Sequence, residues 1–118
     1  MYRPDVVVHE DERGRFIEVW RGKDFEEINF LEIKKGVTRG NHYHKRNREL
    51  MIVTRGRLRL RIENLQTGAT AETVVEEGDS VVIEPYDLHT FTADEDASLV
   101  ACNAVAPFDE ADPDVFEE

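Results

Sequence analysis

The chain reads as an all-β domain, and three features predict it: one run of strict alternation, turn signals at short regular intervals, and almost no helical periodicity. In Arg57-Leu58-Arg59-Leu60-Arg61-Ile62-Glu63 the apolar residues fall at every second position and charges fill the rest. Such a period suits a half-buried strand and cannot make a one-sided helix. In chain order, strands are expected at residues 6–10, 15–20, 28–34, 49–54, 57–63, 71–76, 80–83, 89–93 and 98–104. Turn signals divide them: Asp11-Glu12-Arg13-Gly14, Arg55-Gly56, Gln66-Thr67-Gly68, Glu77-Gly78-Asp79 and Asp94-Glu95-Asp96. Asp24-Phe25-Glu26-Glu27-Ile28 is expected to form one helical turn. Nine or ten short strands at this spacing make a sandwich or barrel. Trp20, Phe16, Phe30 and Phe91 are read as its core rather than as ligand platforms.

Length and composition bound the rest. Residues 1–118 have room for one domain with a core, and 105–118 form an acidic tail that either caps the fold or is disordered. The single cysteine, Cys102, sits in the apolar run Ser98-Leu99-Val100-Ala101-Cys102 and is expected to be a buried, inert thiol. The first residues carry no apolar leader, and no window approaches a membrane span, so a cytoplasmic setting without membrane contact is expected. A formal net charge of −11 argues against nucleic acid as a partner. The basic stretch Lys34-Lys35, Arg39, Lys45-Arg46 and Arg48 is either a solvated loop or an attractor for an anionic substrate.

Chemistry concentrates on four residues. His42 and His44 are two apart, so on a strand both imidazoles point one way and Tyr43 the other. Glu49 opens the next strand-like run and His89 opens a later one. Three histidines and a carboxylate suit one divalent ion; Zn²⁺ is the expected one, and Fe²⁺, Mn²⁺, Ni²⁺ and Co²⁺ are compatible. The alternative is a metal-free barrel that keeps these histidines as hydrogen-bonded core groups.

The wider pattern resembles the cupins. Gly36, His42, His44, Glu49 and Gly56 match G-x5-H-x-H-x4-E-x6-G at every defined position. Gly78, Pro85 and His89 resemble the second cupin motif in part, with spacings off by one, Asp87 in place of glycine and Ala93 near the place of asparagine. The resemblance implies a double-stranded β-helix, or jelly-roll barrel, with His42, His44, Glu49 and His89 inside its mouth. Arg39-Gly40-Asn41-His42-Tyr43-His44-Lys45 resembles more closely the C-terminal cupin domain of capsular-polysaccharide UDP-hexulose reductases. Phe108-Asp109 and Pro113-Asp114 are similar to that family's terminal segment. In those bifunctional enzymes the cupin domain epimerises a 4-keto nucleotide sugar. The same segment is similar, more distantly, to the dTDP-sugar 3,4-ketoisomerases, where glutamine stands near the place of Glu49 and no metal is used.

These resemblances imply an isomerase of epimerase type whose substrate is a nucleotide sugar in polysaccharide biosynthesis. A Lewis acid at the four ligands would polarise a sugar ketone and acidify the neighbouring C–H bonds. A base is then needed, and Lys45 and Tyr86 lead a field that includes Tyr43, Glu32 and Asp87. Arg39 is the expected diphosphate contact, since a guanidinium grips such a group bidentately. A metal-dependent oxygenase and a non-catalytic binding module are the alternatives. A homodimer is expected, because small barrels expose sheet edges that a second copy covers.

Overall fold

The computed structural model describes residues 1–3, 7–18, 25–106 and 108–118, with backbone alone at 14–18. Among these residues there are ten strands and no helix: β1 (Val7–Asp11), β2 (Gly14–Glu18), β3 (Glu27–Ile33), β4 (Thr38–His42), β5 (Glu49–Arg55), β6 (Arg57–Asn64), β7 (Thr70–Glu76), β8 (Ser80–Ile83), β9 (Asp87–Ala93) and β10 (Ala97–Asn103). Accordingly, no described helix is long and apolar enough to cross a membrane. Two four-stranded antiparallel sheets run β3-β10-β5-β8 and β4-β9-β6-β7, and β1-β2 forms a separate hairpin. From β3 to β10 the chain changes sheet at every connection but β6–β7. That winding is the double-stranded β-helix of a jelly-roll barrel. At the β5–β6 corner Gly56 has φ +79°, and a Cβ there would collide with the Asp96 carbonyl oxygen.

The alternation in β6 does what its period requires. Leu58 and Leu60 are fully buried and Ile62 nearly so, while Arg57, Arg59 and Arg61 remain outside. They join one core with Val53 of β5, Val81 and Ile83 of β8, Phe91 of β9 and Leu99 of β10. Each such side chain contributes about 1.5–3 kcal/mol on burial. Strand β8 lacks alternation because both of its faces are covered. Its Val82 packs outward against Leu50 and Cys102, so the cysteine is buried as expected.

Two local expectations fail. Glu27 and Ile28 do not turn helically; they pair with Asn103 and Cys102 of β10, and a ladder beside β10 outcompetes an isolated turn. Asp24 lies outside the described residues. Phe30 is 62% exposed rather than core. The inward positions of β3 are Asn29, Leu31 and Ile33, so the pleat turns Phe30 outward. Phe91 is core as expected, whereas Trp20 and the Phe16 side chain lie outside what is described.

Candidate metal centre

The barrel mouth is built where β4, β9 and β5 begin or end. His42 and His89 are register partners across β4 and β9. A bulge separates Gly40 from His42, with φ +96° at Gly40 and +58° at Asn41. The extra residue lets Arg39 and His42, three apart, face the same cavity. Tyr43 then turns outward to an antiparallel bridge with Phe116, and His44 returns inward, as the alternation demands. Glu49 opens β5 between Ile83 and Asn103.

The imidazoles of His42, His44 and His89 converge, with one ligand-capable atom from each lying within 4.8 Å of the others. Ring centroids are 5.2 Å apart for His42–His44, 4.6 Å for His42–His89 and 5.4 Å for His44–His89. Glu49 Oε1 abuts His44 Nε2 and lies 4.0 Å from His89 Nε2. His44 Nδ1 donates to the Asp114 carbonyl at 2.6 Å, and His89 Nδ1 to the Asp87 carbonyl at 2.9 Å. A carbonyl can only accept, so each ring keeps a proton on Nδ1 and turns Nε2 inward. His44 Nε2, His89 Nε2 and Glu49 Oε1 are all buried and none makes a hydrogen bond of acceptable geometry. Buried lone pairs left in this state cost free energy unless a cation takes them up. The residues therefore fit a divalent ion, with outer hydrogen bonds of the kind that orient metal-ligating histidines.

Electrostatics agree with that donor set. Burial pulls His89 down to about 4, which keeps its imidazole neutral at pH 7. Burial, assisted by His44, also lowers His42. For His44 burial acts downward, but the Glu49 carboxylate and the Asp114 backbone outweigh it and the net shift is upward. Burial would raise Glu49, yet contact with His44 and the nearby His89 and His42 hold it below its ordinary value. The site thus favours one positive charge between the carboxylate and the rings.

A cavity of about 440 Å³ opens beside these groups, walled by Arg39, His42, Glu49 and His89 over a floor that includes Met51, Phe91 and Leu99. A larger groove of about 980 Å³ lies against the C-terminal segment and reaches only His44 of the four. The smaller space is the one beside the converging donors; Asn29 lines both. Arg39 lines the smaller space. Lys45 and Tyr86 do not line either space. Lys45 Nζ lies 4.2 Å over the Phe116 ring, and Tyr86 stacks on Tyr43 at 5.8 Å. Glu32 is exposed on the outer face of β3. Asp87 is buried and accepts from the Met1 amino group, Asn64 Nδ2 and the Glu84 amide. Of the basic stretch, Arg46 pairs with Asp112 and Arg48 with Glu84, leaving Arg39 as its member at the cavity. Sequence reasoning missed Asn29 and Asp114. A polar residue at an inward position of β3 was a usable signal for Asn29; for Asp114 the sequence offered only the likeness of Pro113-Asp114 to a family's terminal segment, with no role attached.

Comparison with known proteins places this geometry. The profile of the polysaccharide biosynthesis C-terminal domain family matches residues 9–116. The chain belongs to that family. It is 31% identical over 117 residues to UDP-2-acetamido-2,6-beta-L-arabino-hexul-4-ose reductase of Pseudomonas aeruginosa, which covers 95% of this chain and 31% of the relative. The capsular polysaccharide assembling protein CapF of Staphylococcus aureus superposes with a TM-score of 0.71 at 24% identity, over 96% of this chain and 34% of CapF. QdtA, a sugar 3,4-ketoisomerase from Thermoanaerobacterium thermosaccharolyticum solved in complex with TDP, gives 0.80 at 17% identity, over 96% of this chain and 84% of QdtA. The chain thus spans about a third of the length of the reductase and of CapF, and it shares its barrel fold with QdtA.

Proposed function

We propose that this barrel moves a proton next to the ketone of a 4-keto nucleotide sugar, as an epimerase or isomerase, with one divalent ion held by His42, His44, Glu49 and His89. The observation that carries the reading is the convergence of the buried His44 Nε2, His89 Nε2 and Glu49 Oε1, none of them in a hydrogen bond of acceptable geometry, with Glu49 and His89 lining a ligand-sized cavity. Zn²⁺ is the ion the N₃O donor set suits first. Bound there, the ion would polarise the ketone. The chain itself supplies the rest. Arg39 offers its guanidinium to the diphosphate at the cavity wall, the apolar floor excludes water beneath the sugar, and the Nδ1–H bonds to residues 114 and 87 hold two rings in register. The family's place in polysaccharide biosynthesis and the sugar-isomerase fold support the substrate class.

We also propose a homodimer. Among the described residues β3 has one strand neighbour, β10, and it exposes Ile28 and Phe30 on its outer face.

The test is solvent exchange. Incubated in heavy water with a UDP- or dTDP-4-keto-6-deoxy sugar, the protein should place deuterium at C3 or C5. Exchange should need the metal and fall in Glu49→Gln, which keeps shape but removes an anionic ligand. Exchange that survives complete metal removal would favour metal-free isomerisation; no exchange and no binding across several such sugars would overturn the sugar reading.

A further inference from the structure

Residues 43–47 join two of the candidate ligands, His44 and Glu49, yet belong to no sheet. Buried backbone groups must nevertheless be satisfied. Most of their partners come from the far end of the chain, while the His44 carbonyl accepts from the Tyr86 amide at 2.7 Å. Tyr43 exchanges both backbone hydrogen bonds with Phe116, at 2.9 and 3.0 Å. The Lys45 amide donates to Asp114 Oδ1 at 2.8 Å, and the Arg46 and Asn47 amides donate to Asp114 Oδ2 at 3.0 and 2.8 Å. The carbonyl of the same Asp114 receives the His44 Nδ1 proton. One residue, 8% exposed, therefore organises both the loop that carries His44 and the tautomer of its ring. A carboxylate taking three converging N–H groups is the strong form of this bond. An amide could not do the same, since it would turn an NH₂ toward one of the donors.

We propose that Asp114 is a positioning residue for the metal centre, acting through His44, and that docking of residues 112–116 sets the affinity of the site. The inference rests on the metal reading given above. It assigns the acidic C-terminal segment a role beyond covering the barrel: the segment serves as a strap whose release loosens one ligand while leaving all four side chains in the sequence.

The experiment is a Zn²⁺ titration of the chelator-stripped full chain against a competing chromophoric chelator, for the parent, Asp114→Asn and Asp112→Asn. The two variants remove the same charge, but Asp112 holds only the exposed Arg46 and no amide of the loop through its side chain. Asp114→Asn should weaken Zn²⁺ binding about 10–100-fold, the usual cost of losing an outer-shell partner, and Asp112→Asn should stay within about twofold. Equal affinity in parent and Asp114→Asn, or an equal loss in both variants, would overturn the proposal. A long-range ¹H–¹⁵N spectrum of the stripped protein, recorded at alkaline pH where the ring is neutral, is read alongside. His44 should show a single Nδ1–H tautomer in the parent and a mixture in Asp114→Asn. If the parent takes up no Zn²⁺, the metal reading fails on its own and this spectrum decides the positioning role. Should Asp114→Asn not fold, the parent spectrum still decides: Nδ1–H on His44 supports the role and Nε2–H overturns it.

Discussion

Replacing Gly40 by alanine probes the barrel mouth without altering a candidate ligand. Gly40 lies in the bulge between Arg39 and His42, with φ +96°, and a Cβ added there would stand 2.7 Å from the His89 carbonyl oxygen. Two costs follow. An L side chain in left-handed backbone costs about 1–2 kcal/mol. The contact with backbone oxygen forces β4 and β9 apart by several tenths of an ångström, an overpacking cost of about 1–3 kcal/mol. Gly68 separates them, since its φ is +76° and nothing lies within 4 Å of the added Cβ. Urea denaturation should therefore show about 2–5 kcal/mol lost in Gly40→Ala and about 1–2 kcal/mol in Gly68→Ala. Because His42 and His89 are partners across the strands being separated, Zn²⁺ affinity should fall in Gly40→Ala and stay at the parent value in Gly68→Ala. Equal destabilisation in the two variants, or unchanged metal affinity in Gly40→Ala, would refute the reasoning.

Other expectations follow from single contacts. Leu60→Ala, at a fully buried position between the sheets, should cost about 2–5 kcal/mol in the same denaturation assay. Arg39→Gln should weaken binding of a nucleoside diphosphate, measured calorimetrically, whereas Arg46→Gln should not, because Arg46 is engaged by Asp112 outside the cavity that Arg39 lines. Phe30→Ser, which removes a 62% exposed ring from the edge strand, should shift light-scattering mass toward monomer with little change in monomer stability; a mass unchanged from the parent would place the dimer contact elsewhere or remove it.

Much of this was legible in the chain itself, for a physical reason. Alternation is a local property, and a strand records which residues share a face whether or not its neighbours are known; Leu58, Leu60 and Ile62 announce β6 unaided. The pair His42 and His44 with Glu49 is local too, being confined to one strand end and the start of the next. Local pattern does not say which face of a strand points inward, and that is decided by register. Phe30 could be read as core until β10 set Asn29, Leu31 and Ile33 on the inner side. Nor could spacing show that Lys45 and Tyr86 stand away from the cavity: each lies beside a strand end where the chain turns, and its direction depends on Phe116 and Tyr43. The partner of His44 is 70 residues away and reaches it only because the C-terminal segment folds back along a loop that no sheet satisfies. The side-chain types of the candidate ligands are written in the sequence at short range. The bonds that aim them are supplied by the barrel's closure, which brings remote backbone to the same place.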